Sequence, residues 1–273
     1  MTDNLIANFL IPVGVVLAVA LIVAGLAWIF SLRFRAWTAE NRRLVGLVLL
    51  VFLIAQLPFV IYLTLEARPP LAGGVTLDST WQKLLDDKFS NVDSQNNWEL
   101  GSTTHDVGES QLTLGKGKLR WRLTCNTDAS TSMNFYTGLK TQNSLSDAYF
   151  QVDARLLSGP EETTYGVYFR GTAEAFYYLS IDEQGQTFRL DLWQQGKWTN
   201  LYPSTTSDKI VSGKSNRIGV LLRGSQIRIY INDQLVGELT NDQLVTGAIG
   251  LGGNIVCPAG SSFEFDNALL YTP

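Results

Sequence analysis

Histidine occurs once in this chain, at His105, and cysteine twice, at Cys125 and Cys257. A lone imidazole leaves no cluster of His and Cys ligands for a zinc centre. A Ser-His-Asp device would have to rest on His105, which has only Asp106 beside it. A basic excess is missing as well. The formal net charge is −4, and beyond Pro69 acidic residues outnumber basic ones. Nucleic-acid binding needs a basic stripe, so no nucleic-acid partner is expected.

Charge is also absent from two long apolar runs, residues 5–32 and 44–65. Each exceeds the roughly 20 helical residues that cross a bilayer core, and only helices satisfy their own backbone groups in hydrocarbon. Between them, residues 33–43 carry Arg33, Arg35, Arg42 and Arg43 against Glu40. Arginine near span ends stays on the cytoplasmic side. Residues 1–65 therefore read as a two-pass hairpin in the plasma (inner) membrane, with the bilayer as partner. The N-terminus and everything after residue 65 fall outside the cytoplasm. The first four residues lack the positive start of a cleavable leader, so the first helix is expected to be retained. Gly14 and Ala18, four residues apart, let another helix approach closely. Gln56 and Pro58 put an amide and a freed carbonyl inside the second span, and both groups seek a protein partner. These four residues are the candidate helix interface, toward the other span or toward subunits of a membrane complex.

Residues 66–85 read as a linker, stopped by Pro69-Pro70 and slackened by Gly73-Gly74. From residue 86 to 273 the texture is short β-branched and aromatic runs separated by Gly, Asn, Asp and Ser. Phe150, Val152, Ala154 and Leu156 alternate with Gln151, Asp153 and Arg155; Ile218, Val220, Leu222 and Ile227, Ile229, Ile231 repeat the pattern. About a dozen such strands and no convincing helix predict an all-β antiparallel sandwich. Outside the cytoplasm a disulfide between Cys125 and Cys257 is permitted. It requires Cα atoms within about 7 Å, and the sequence leaves open whether the two are bonded or are buried thiols.

Several stretches then fall in a distinctive order. Asp86-Asp87-Lys88-Phe89-Ser90-Asn91 is followed by Trp98, then by Ser146-Asp147-Ala148-Tyr149-Phe150 and Tyr165-Gly166-Val167-Tyr168-Phe169-Arg170. Phe176-Tyr177-Tyr178-Leu179-Ser180-Ile181, Trp198, Asn216-Arg217, Ile229-Tyr230-Ile231-Asn232, Gly247-Ala248-Ile249-Gly250-Leu251 and Phe265-Asp266-Asn267 complete it. The region 86–271 resembles the concanavalin A-like lectin/glucanase superfamily, in its family-16 glycoside hydrolase-like or 3-keto-disaccharide hydrolase-like branch. The resemblance implies a jelly-roll sandwich whose concave face binds carbohydrate in relatives.

It does not bring the catalytic pattern with it. The Glu-x-Asp-x-x-Glu strand of family-16 glucanases, which sets a retaining carboxylate pair roughly 5 Å apart, occurs nowhere in this chain. Glu161-Glu162 and Asp182-Glu183 read as solvated loop charges. Catalytic residues and cofactors are not expected, and Asp266 alone supplies too few oxygens for a structural Ca²⁺. Alternation does suggest a binding face. Tyr168, Arg170, Tyr178, Arg189, Asp191 and Trp193 are expected to point out of one sheet, offering aromatic surface and hydrogen-bonding reach to a glycan. The expected role is non-catalytic recognition or docking of a glycan or envelope protein. The alternatives are a structural or accessory subunit of a membrane complex and, more weakly, a glycan-processing hydrolase.

Overall fold

The computed structural model describes residues 75–90, 94–140 and 144–273. The predicted hairpin, with Gly14, Ala18, Gln56 and Pro58, lies outside the described residues. Among those residues no helix is long and apolar enough to cross a membrane. Pro70–Pro273 forms a compact unit of its own.

In chain order come β1 (Gln82–Asp87), a helical turn α1 (Ser94–Asn97), β2 (Gly101–Thr104), β3 (Gly108–Gly115), β4 (Lys118–Cys125) and β5 (Thr131–Gly138). Then follow β6 (Ala148–Ser158), β7 (Thr164–Gly171), β8 (Ala175–Asp182), β9 (Thr187–Gln194) and β10 (Lys197–Thr206). The remaining strands are β11 (Asn216–Arg223), β12 (Gln226–Ile231), β13 (Gln234–Thr240), β14 (Ala248–Cys257) and β15 (Ser261–Thr272). They make two antiparallel sheets. One has nine strands, in the order β13-β12-β11-β6-β15-β4-β3-β2, with β1 beside the second half of β15. The other has six, in the order β10-β9-β8-β7-β14-β5.

The alternation read from the sequence is what joins them. Phe150, Val152 and Ala154 of β6 and Val220 and Leu222 of β11 point to the same interior as Val167, Leu179, Ile181 and Leu190 of the smaller sheet. Trp121, Phe263 and Phe265 fill its middle, with ring centroids 6.3–6.5 Å apart. Cys125 and Cys257 are bonded, with Cα atoms 5.7 Å apart.

Packing begins ahead of residue 86, inside the stretch that reads as a linker. Val75 and Trp81 are buried on the solvent side of the nine-stranded sheet against Tyr149, Leu221 and Tyr230. Arg223 fastens this strap. Its guanidinium lies 5.3 Å from the Trp81 ring and pairs with Asp78 at 3.1 Å.

Several stretches that carried the resemblance are structural fasteners. The Asp87 carboxylate is buried and accepts from the Phe89 amide (2.8 Å), Ser94 Oγ (2.6 Å), Asn97 Nδ2 (3.0 Å) and Trp98 Nε1 (3.1 Å). Asn216 Oδ1 accepts from the Val211 amide (2.8 Å) and Asn232 Nδ2 (2.9 Å), while Arg217 pairs with Asp153 and Asp233. Asp266 is an ion-pair partner of Lys118 and accepts from the Asn267 amide at 2.8 Å. Its carboxylate is committed to the protein.

Candidate functional site

The outer face of the six-stranded sheet is ruled into rows by its register. Phe176 of β8 stands opposite Trp193 of β9, which stands opposite Trp198 of β10. The next row runs Tyr168, Tyr178, Asp191, Asn200 from β7 to β10, with Gly250 of β14 beside Tyr168. One step further lie Gly166, Ser180 and Arg189, with Gly252 and then Tyr136 of β5 on the far side. Because strand side chains alternate, every named residue of these rows leaves the core on one surface.

The glycines of β14 give the tyrosines room to lie down. A Cβ at Gly252 would sit 2.4 Å from Tyr178 Cε2, and one at Gly250 would sit 2.7 Å from Tyr168 Cε1. Tyr178 thus forms floor rather than rim, and is only 1% exposed. Around it the aromatics interlock. Phe176 is stacked on Trp193 at 5.3 Å, and meets Tyr136 at 4.6 Å and Trp198 at 5.7 Å edge to face. Trp198 remains 45% exposed, so an aromatic surface is open to solvent at this end of the face.

The other end is a polar groove of about 340 Å³ that touches all six strands. Ser132, Asn134, Thr164, Ser180, Asp182 and Arg189 contribute to its lining. Arg189 pairs with Asp191 at 2.9 Å, and Asn200 donates to the same carboxylate at 2.9 Å. Burial drives the Tyr136 and Tyr178 phenols far above their ordinary range and lifts Tyr168 to about 12. All three are neutral hydroxyls at physiological pH. Tyr136 Oη and Ser180 Oγ are buried with no hydrogen-bond partner in the protein.

The sequence from 80 to 267 matches the family model of the 3-keto-alpha-glucoside-1,2-lyase-like domain. The chain belongs to that family. No curated protein matches this lyase-like domain in sequence. Solved structures share its fold. The kappa-carrageenase of Pseudoalteromonas carrageenovora superposes with a TM-score of 0.54 at 13% identity, over 76% of this chain and 99% of that one. The beta-glucanase of Bacillus licheniformis gives 0.52 at 10% identity, over 69% and 97%. The GlcNAc-alpha-1-4-Gal-releasing endo-beta-galactosidase of Clostridium perfringens gives 0.52 at 11%, over 74% and 65%. At these identities the likeness is one of fold, a jelly-roll sandwich.

Five of the six residues expected to point out of one sheet share the outer face of the six-stranded sheet: Tyr168, Tyr178, Arg189, Asp191 and Trp193. Arg170 does not. Its φ of 50° breaks the pleat at the end of β7, and the side chain is 1% exposed. The guanidinium instead donates to the carbonyls of Leu244 (3.0 Å), Ser146 (3.1 Å) and Gly224 (2.5 Å), tying three loops together. Glu183 also departs from expectation. It is buried and accepts from Tyr165 Oη (2.8 Å), the Gly213 amide (2.7 Å) and the Leu156 amide (3.1 Å), so it is a loop lock rather than a solvated charge. Asp182 Oδ1 caps its turn through the amides of Gln184 and Gly185. Tyr136, Phe176 and Trp198 are the aromatic members of the face that strand alternation did not assign to it.

Proposed function

We propose that the protein is a glycan-recognition module, held at the membrane by the hairpin of residues 1–65 and presented outside the cytoplasm, and that it works without catalysis. The carrying observation is the aromatic cluster of exposed Trp198 with half-buried Trp193 and Phe176, set beside a polar groove on one sheet face. Sugar rings present an apolar face and a hydroxyl edge, and this surface offers a partner to each. Membership of a family named for a glucoside lyase supports a saccharide as the ligand. The Cys125–Cys257 bond supports an oxidising compartment. Two observations support the non-catalytic half of the reading. Asp191 is bound to Arg189 and Asn200, and Asp182 caps its own turn.

The test is a glycan screen with the full chain in detergent micelles, followed by calorimetry on the best ligand. Binding that falls about tenfold or more in Trp198→Ala, with no product formed from the bound glycan, is the expected result. Binding indifferent to Trp198, or no binding to any saccharide, overturns recognition at this face. Turnover that one Asp or Glu substitution abolishes overturns the non-catalytic half.

A further inference from the structure

The groove carries its own statement about ligand charge. Its lining residues include two acidic ones, Glu162 and Asp182, and a single cationic one, Arg189. That guanidinium is already paired with Asp191 at 2.9 Å. The field an incoming group meets is therefore negative, and like charge in a partly enclosed groove repels strongly. The unfilled hydrogen-bonding capacity is of the opposite character. Ser180 Oγ, in a residue 1% exposed, lines the groove without a partner, and Tyr136 Oη is likewise buried and unpartnered. Tyr178 Oη is a third buried hydroxyl with no hydrogen-bond partner in the protein. The Tyr136 and Tyr178 phenols keep their protons at physiological pH because burial disfavours the phenolate. Buried hydroxyls without partners are costly in a folded protein, and a neutral hydroxyl answers each of them without bringing charge.

The spacing adds a length requirement. On β8, Phe176 belongs to the aromatic end and Ser180 to the groove, four residues apart on the same face. At about 3.4 Å per residue this is roughly 14 Å, more than one sugar ring covers. Resting on the glycan reading above, we infer that the site selects an uncharged oligosaccharide of more than one ring. One ring packs on the Trp198 end while the hydroxyls of another meet Ser180 and its neighbours in the groove. Acidic glycans are turned away by Glu162 and Asp182.

The experiment uses the full chain in detergent and two probe sets matched in length. One is neutral (laminarihexaose, cellohexaose, maltohexaose) and the other acidic (hexagalacturonate and a sulfated carrageenan hexasaccharide). At least one neutral probe should bind, and the acidic probes should bind about tenfold more weakly or not at all. The neutral monosaccharides should be as weak. Ser180→Ala should weaken the neutral probe by up to about tenfold; the smaller side chain spares the fold, and an unchanged melting temperature checks this. The Glu162→Gln, Asp182→Asn double variant should gain acidic binding. Acidic probes bound as well as neutral ones, or monosaccharides bound as well as hexasaccharides, overturn the inference and leave glycan recognition standing. Ser180→Ala without effect overturns the assignment of the groove. Binding of neither set overturns both readings together.

Discussion

Cys125 at the end of β4 and Cys257 at the end of β14 are bonded, so a covalent tie joins the nine-stranded sheet to the six-stranded one. The residues lie 132 apart in sequence. A link that closes so long a loop restrains the unfolded chain considerably, and native disulfides typically contribute about 2–5 kcal/mol. The Cys125→Ala, Cys257→Ala double variant should therefore melt well below the parent in a thermal scan. Parent protein should show no thiol labelling unless denatured and reduced. Equal melting temperatures would show that the two sheets hold without the bond.

Asp87 gathers four donors from the segment that opens the sandwich, and every one is left wanting if the carboxylate goes. Hydrogen bonds to a buried charge are worth about 1.5–3 kcal/mol each, though not additively. Asp87→Ala should cost at least about 3 kcal/mol by denaturant titration. Asp87→Asn, which keeps an acceptor, should cost less. A loss below about 1 kcal/mol in the alanine variant would mean that the opening segment is held by Phe89 and Trp98 packing alone.

The buried phenols predict an alkaline limit. Tyr168 ionises near 12 in the folded protein because burial disfavours its phenolate, whereas an unfolded tyrosine ionises near 10. Above pH 10 the unfolded chain releases a proton that the native one keeps, so stability falls as pH rises through that window. The slope is about 1.4 kcal/mol per pH unit for each such group. Denaturation midpoints at pH 9, 10 and 11 should decline, and Tyr168→Phe should flatten the decline between pH 10 and 12. A curve unchanged by that substitution would assign the alkaline loss to other tyrosines.

Membrane topology is tested by labelling. A cysteine at Thr38, in the arginine-rich turn, should be shielded from an impermeant thiol reagent in intact cells. One at Lys214, exposed between β10 and β11, should react. The reverse pattern would place the arginines outside.

Much of the fold was legible because one face of each sheet is buried and the side-chain period of a strand is two. Phe150, Val152 and Ala154 announce their side, as do Phe188, Leu190 and Leu192, and the structure puts all six in the core. The consecutive aromatics Phe176, Tyr177 and Tyr178 were harder, since hydrophobicity marks neither face. The register with Tyr168 and Asp191 puts Tyr178 on the outward side, as expected for it. Arg170 was misplaced because alternation presumes an unbroken pleat, and a positive φ turns its side chain away. Trp198 sits on β10, where nearly every residue is half-exposed or exposed, so no alternation marks its direction. Tyr136 joins the site through pairing with β14, a contact across more than a hundred residues that no local pattern reveals. The Asp87 cluster and the Glu183 lock were equally hidden, because the sequence shows charges but not the amides that satisfy them.

The tyrosines that lie flat over β14 divide the outer face of the six-stranded sheet into parts with different freedom to vary. Tyr168 and Tyr178 occupy space that any side chain at Gly250 or Gly252 would claim, so the floor is fixed by steric necessity on both sides. The rim is under no such restraint. Trp198 stands on the edge strand β10 and Arg189 on β9 next to it, with their side chains directed away from the interior. Side chains on the outer face of β10 can therefore change while the architecture beneath stays unaltered. A library restricted to Trp198 and Ser204 would vary this rim while leaving Arg189 and Asn200 paired with the buried Asp191.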